Sequence, residues 1–567
     1  MSFTRVFRPK ILDTLKDYSK EKLSADIMAG IIVGIVAIPL AIAFGIASGV
    51  GPTEGLVTAI IAGFLISVLG GSRVQIGGPT GAFIVIIYGI IQTHGLGGLM
   101  IATIMAGIML VLMGLFKLGS IIKFVPYPVI IGFTAGIAIT IFSTQINDLF
   151  GLGIEEVPAG FVDKWIVYFQ NFNHTNLMVL GLGVLSVLII VFTPKISKKI
   201  PGSLVAIVVV TLIVWLLDKF DLVAGIQTIG DIYELPTGLP MPKLPDFDFG
   251  GASLVDTLTK LFPAAFTIAM LGAIESLLSA MVADGVIGGK HDSNTELIGQ
   301  GVANIFSPLF GGIPATGAIA RTMTNINNGG RSPIAGVVHA LTLLLVLLVL
   351  GQLVGYIPMA CLAGVLVVVS YNMSGLRSII AMQGMPLSDN IVMWVTMILT
   401  VLFDLTVAIE VGLLLSVVLF IKRTSEATSI KIFGTEIDPN IESDHLLHED
   451  KLTIPKGVSV YEIDGPYFFG VANKFDDIMN RTSDIPKIRI IRMRRVPFMD
   501  STGLHNLEVL CKDSLKRGTI VILSGVRDQV RHDLMKAHFD KIISEENICS
   551  HINIALERAK NILADKL

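Results

Sequence analysis

The sequence predicts an α-helical polytopic membrane protein with a soluble α/β domain at its C-terminal end. Three observations carry that reading. Residues 26–423 are nearly all apolar, interrupted by Gly, Pro and short polar turns. After Arg423 the pattern changes to alternating strands and helices. A Gly-rich segment, GGPTGAF at 77–83, returns as GGIPATGAIAR at 311–321.

Hydropathy sets the class. Of 567 residues, 52% are hydrophobic and 15% charged, with a mean hydropathy of +0.75; soluble domains carry about 25% charged residues. A spanning helix needs about 20 apolar residues. Runs at 27–48, 56–69, 99–116, 129–142, 177–192, 204–217, 258–282, 334–353 and 391–403 qualify as candidates, with shorter runs at 298–310, 359–369 and 405–421. Adding the two short segments after Thr80 and Thr316 gives fourteen spans. The expected organisation is an N-terminal segment at 1–25, a transmembrane domain at 26–423, a linker at 424–450 and a soluble domain at 451–565.

Charge placement fits the even count. With the N-terminus inside, Arg8, Lys10, Lys16, Arg73, Lys195, Lys290, Arg331 and Arg423 fall on the inner side. Only Lys164, Lys219, Lys243 and Lys260 fall outside, near an acidic loop at 218–249. This obeys the positive-inside rule and puts both termini in the cytoplasm. The N-terminus lacks a cleavable signal pattern, so a multi-pass protein of a cell membrane is expected, with a bacterial inner membrane as the setting.

Composition excludes several classes. A net charge of −3 gives no reason to expect a nucleic-acid partner. Cys361, Cys511 and Cys549 are far apart and have no metal or disulfide spacing. There is no Ser/His/Asp set, clustered His or phosphate loop, so no enzyme, metal or cofactor is expected.

The repeated segment points to a site. Thr80 and Thr316 are offset by 236 positions, with seven spans before the acidic loop and seven after it. An odd repeat unit inserts its second copy upside down, as in secondary transporters whose sites form where broken helices meet. Each copy places Thr-Gly-Ala after an irregular Gly/Pro stretch, tolerated at membrane depth only inside protein or beside a cavity. Thr is a good N-cap. Two opposed half-helices would aim their positive ends and N–H groups at one anion. The binding candidates are Thr80, Gly81, Ala82, Thr316, Gly317 and Ala318, with Arg321 five residues further on.

Arginine at membrane depth is costly unless paired or hydrated. Glu275 is the expected partner, acting as a proton or cation site, and the alternative is an ion pair that only braces two helices. Ser279, one turn on, would add a hydroxyl or simply allow close packing. The 236-residue offset sets Pro39 opposite Glu275, where a helix break is expected.

GGPTGAF, the run SNTELIGQGVANIFSPLFGGIPATGAIART and the C-terminal FMDSTGL together resemble the sulfate permease (SulP) family, anion transporters with a cytoplasmic STAS domain. The resemblance covers nearly the whole chain. It implies a seven-plus-seven inverted repeat divided into core and gate domains, and a homodimer. It also implies a small inorganic anion held by the two Thr-Gly-Ala turns, with H+ or Na+ as coupling ion at Glu275. Sulfate by proton symport is the leading expectation, because Arg321 favours a strongly charged anion. Sodium-coupled bicarbonate, proton-coupled dicarboxylate, or an exchanger or channel of the same fold remain alternatives. Many sulfate-carrying relatives have Pro-Gln where this chain has Pro39-Leu40. A receptor with the soluble domain as output is a separate class, told apart by the absence of flux.

In FMDSTGL, Ser501 resembles the phosphorylated serine of anti-sigma antagonists, and Ser501 and Thr502 are expected helix caps in any case. A regulatory protein at this domain is the implied partner. The cluster Arg492, Arg494 and Arg495 would face the transport domain or lipid headgroups, or form a solvated strand face.

Overall fold

The computed structural model describes residues 7–120, 125–154, 156–158, 160–196, 201–220, 226–233, 238, 240–242, 254–403, 405–434, 436–437, 452–471 and 486–565. Most of the acidic loop, and the amphipathic stretch beyond Val471, lie outside the described residues. The chain forms two compact units, 1–416 and 417–567.

In the first unit, nine helices among the described residues are long and apolar enough to cross a membrane. Others are shorter, such as Ser293–Leu309, Ile319–Asn327 and Leu387–Leu402. One of the nine, Gly81–Leu115, contains two of the expected segments. Gly95 divides it, with φ at 66° inside an otherwise helical run. A left-handed backbone there costs glycine little and breaks the axis. The half-helix after Thr80 is therefore present, joined end to end with its neighbour.

The expected break at Pro39 does not occur. Helix Lys20–Ala47 runs through it; proline removes one N–H and leaves the carbonyl four residues back without its helical donor.

Packing sorts the helices into two groups. Lys20–Ala47, Pro52–Leu69, Ile84–Leu115, Leu254–Ile287, Ser293–Leu309 and Ile334–Val354 pack chiefly on one another. Tyr127–Thr144, Leu177–Ile196, Gly202–Lys219, Met359–Met373 and Leu387–Leu402 make the second group. Small residues make close approach possible in the first. A methyl on Gly107 would meet the Gly301 carbonyl at 2.7 Å, and one on Gly301 would meet the Gly107 carbonyl at 2.5 Å. Reciprocal small-residue contact of this kind lets membrane helices associate without a hydrophobic driving force.

The second unit carries a five-stranded sheet. Val458–Asp464, Ile488–Arg495, Ile520–Ser524 and Ile548–Cys549 are parallel neighbours, as the alternation of strands and helices requires. Apolar residues of the strands feed cores on both faces, one around Tyr461, Ile491 and Leu507, the other around Val460, Ile490 and Ile552. The segment expected as linker contributes an element of its own: Ser429–Phe433 pairs antiparallel with Val458–Asp464 at the sheet edge.

Candidate anion-binding site

The two Gly-rich segments meet. Gly77–Gly78 and Thr316–Gly317 form a two-stranded antiparallel ladder, Gly77 opposite Gly317 and Gly78 opposite Thr316. The Ala318 amide extends the contact by donating to the Ile76 carbonyl at 2.9 Å, and the Ile76 amide donates to Thr322 Oγ1 at 3.1 Å. Each segment then enters its short helix, through a 3₁₀ turn at Gly81–Phe83 and directly at Ile319. The ladder holds the two starts side by side.

Both threonines anchor to one helix, Leu254–Ile287. Thr80 Oγ1 donates to Glu275 Oε2 at 2.9 Å, and Thr316 Oγ1 donates to the Gly272 carbonyl at 2.9 Å. Thr80 occupies an N-cap position but its hydroxyl is turned away from the helix amides. At the second helix the N-cap is Ala318, whose amide is used on Ile76. The threonines therefore act as ties to Leu254–Ile287 and not as side-chain caps.

Arg321 does not pair with Glu275. Its Nη2 donates to the Pro79 carbonyl at 2.9 Å, and its Nη1 is buried without a partner among the described residues. The side chain is 2% exposed. It fills the space left by the missing side chain of Gly78, where an added Cβ would lie 2.2 Å from Nη1 and where φ is 152°. A full positive charge thus lies directly beneath the ladder that joins the two helix starts. Ser279 spends its hydroxyl on Thr322 Oγ1 at 3.3 Å, on the far half of the same scaffold.

A fully buried acid escaped the sequence reading. Glu296 accepts from the amides of Gly71 (2.8 Å) and Ser72 (3.1 Å) and from Gln75 Nε2 (2.9 Å), Ser276 Oγ (3.1 Å) and Gln300 Nε2 (3.0 Å). Five donors make it a structural knot. Glu275, by contrast, has one hydrogen bond among the described residues, from the site threonine. The signal for the knot was within SNTELIGQG, where Glu296 and Gln300 stand one turn apart on one face. Asn304 continues that face, with its amide bracketing Ala315 through two 2.8 Å hydrogen bonds just before Thr316.

Chain comparisons agree with this architecture. The sulfate permease family model matches residues 23–396, and the STAS domain model matches 451–555. The chain belongs to the sulfate permease family. It is 43% identical to the Bacillus subtilis protein named "Putative sulfate transporter YvdB", over 94% of this chain and 98% of that one. It is 31% identical to the bicarbonate transporter BicA of Synechocystis, over 89% of each chain. Among solved structures, the transmembrane domain of a cyanobacterial BicA superposes with a TM-score of 0.62 at 32% identity, covering 70% of this chain and 98% of that one. SLC26A9 superposes with a TM-score of 0.84 at 20% identity, covering 98% and 93%, and shares the fold. This member of the family is therefore a multi-pass anion transporter with a STAS domain, and not an enzyme.

In the STAS unit the expected helix cap is corrected. Asp500 caps the helix Ser501–Lys516: its Oδ1 accepts from the Gly503 amide at 2.7 Å and its Oδ2 from the Phe469 amide at 3.1 Å. Ser501 and Thr502 are exposed in the first turn. The arginine cluster is paired within the domain. Arg492 and Arg494 each reach Glu462 at 3.3 Å, and Arg495 reaches Asp464 at 2.7 Å, all across adjacent strands.

Proposed function

We propose that the chain is a secondary active transporter that takes up sulfate by proton symport, the anion held between the N-termini at Thr80–Ala82 and Thr316–Ala318. The observation that carries this reading is Arg321, a buried guanidinium that no carboxylate among the described residues neutralises. Its charge adds to the two helix ends and favours a divalent anion over a monovalent one. Glu275 carries the coupling proton. Its hydrogen bond to Thr80 Oγ1 makes one site residue respond directly to the protonation of the other, and Ser279 supports the same helix.

A second reading, sodium-coupled bicarbonate transport, draws on the BicA relatives and on Leu40 in place of glutamine. The proposal extends to a homodimer in the bacterial inner membrane with both termini cytoplasmic. It also includes regulation at the STAS domain through a partner protein or phosphorylation of Ser501, whose exposed place at a helix start suits a phosphate.

Uptake of labelled sulfate and bicarbonate into proteoliposomes, under an inward proton gradient, an inward sodium gradient or neither, tests the choice. Proton-driven sulfate accumulation is expected. Sodium-driven bicarbonate accumulation would overturn substrate and coupling ion together.

A further inference from the structure

A cavity of about 680 Å³ lies away from the ladder, lined by residues that include Tyr88, Asn147, Asp148, Lys164, Tyr233 and Leu366. Lys164 belongs to the amphipathic helix Phe161–Asn171. It is 4% exposed and yet lines the cavity. Among the described residues its ammonium has neither an ion pair nor a hydrogen-bond acceptor; its neighbour is the Tyr88 ring, 5.8 Å from Nζ to the centroid. Tyr88 is fixed in turn by donating to the Val157 carbonyl at 3.2 Å. Asp148 lines the same cavity without pairing to the lysine. Burial pushes the Lys164 amine down to about 8, which leaves it mostly cationic near neutral pH. A buried ammonium without a counterion is unfavourable unless something fills that role.

The cavity shares two walls with the anion site. Tyr88 is two turns beyond Thr80 on the same half-helix, about 12 Å along its axis. Leu366 belongs to Met359–Met373, the helix whose last residue would contact a side chain at Gly81, with Met373 Sδ 2.8 Å from a Cβ there.

We propose that this cavity is a second anion position, in which Lys164 holds the transported inorganic anion on its way to or from the Thr80 and Thr316 turns. The proposal rests on anion transport but not on the choice of sulfate.

Two measurements on the full-length protein test it. In the first, Cys361, Cys511 and Cys549 are replaced by alanine and Ala47→Cys is added, a half-buried position on the cavity wall. Modification rates with an anionic and a cationic methanethiosulfonate are then compared with and without Lys164→Gln. The anionic-to-cationic rate ratio is expected to fall about tenfold when the lysine charge is removed. An unchanged ratio overturns the proposal whatever the flux results. In the second, KM is measured for sulfate and for bicarbonate. Lys164→Gln is expected to raise KM at least about fivefold for whichever anion is carried, and Lys164→Arg to restore it. A changed ratio with unchanged KM would mean that the cavity attracts anions off the transport route, and would also overturn the proposal. Should the wild type carry neither anion, the substrate assignment falls while the reactivity ratio still decides the cavity.

Discussion

Replacing Arg321 by glutamine separates two effects that usually move together. Among the described residues the guanidinium makes a single hydrogen bond, to the Pro79 carbonyl, and Nη1 makes none. The fold therefore gains little from the charge and bears the cost of burying it. An anion at the helix starts gains instead. At a separation of ~6 Å and an effective dielectric of ~20, one unit charge contributes about 3 kcal/mol for a monovalent anion and twice that for a divalent one. Side-chain relaxation and water reduce both by roughly half, which leaves about 1.5 and about 3 kcal/mol, or KM increases of about 10-fold and about 100-fold. Arg321→Gln is thus expected to raise KM for sulfate far more than for bicarbonate. Melting of the anion-free protein should hold steady or rise. Arg321→Lys should fall between, since it keeps the charge and loses the planar fork. The assays are initial-rate uptake in proteoliposomes and thermal unfolding in detergent without anion. Equal KM shifts for the two anions would refute the field argument, and a marked drop in melting temperature would refute the claim that the charge serves the anion and not the fold.

Glu275→Gln keeps an acceptor for Thr80 Oγ1 and removes the ionisable group; it is expected to fold and bind anion but to lose acceleration of uptake by a proton gradient, measured as flux against inward pH steps. Gly78→Ala forces a Cβ to within 2.2 Å of Arg321 Nη1 at a φ that L residues avoid, so transport should be lost and monodisperse yield should fall. Gly89→Ala, with nothing within 4 Å, should be neutral or gain up to about 1 kcal/mol of helix stability. In the STAS unit, Asp500→Ala should cost about 1 kcal/mol or more by denaturant unfolding because it strands the Gly503 and Phe469 amides, whereas Ser501→Ala should cost a few tenths at most.

The parts of the site written as a repeat were legible, and the parts that depend on packing were not. Thr80 and Thr316 could be found because a 236-residue offset reproduces a Thr-Gly-Ala turn in an apolar chain. That the turns join as a ladder depends on the Ile76 and Gly77 backbone lying against Gly317 and Ala318, and no side-chain pattern encodes it. Glu275 and Arg321 were paired by charge alone. The structure instead gives each a backbone or hydroxyl partner, since Arg321 lies beneath Gly78 while Glu275 faces Thr80. The edge strand Ser429–Phe433 was missed for a related reason: five residues in a polar stretch present one alternation, too little to tell a strand from a linker. In Asp-Ser-Thr-Gly three successive residues are good caps, and Asp500 is the one that accepts from the Gly503 amide and, from outside the helix, the Phe469 amide.

Glu296, buried, and Glu275, half-buried, show how one scaffold gives carboxylates different work. Glu296 is surrounded by five donors, two of them backbone amides whose loss would leave a turn unsatisfied, so protonating it would break bonds that hold Gly71 to Gln75 against the Ser293–Leu309 helix. Among the described residues Glu275 has one donor, a hydroxyl, and a hydroxyl can reverse its role from donor to acceptor when the carboxylate takes a proton. The change at Glu275 is then felt at Thr80, the residue that begins the first half-helix, and hardly anywhere else. The coupling proton of the proposed mechanism requires a carboxylate whose titration reaches the proposed anion site without loosening the fold, and of these two acids Glu275 is the one bonded to a residue of that site.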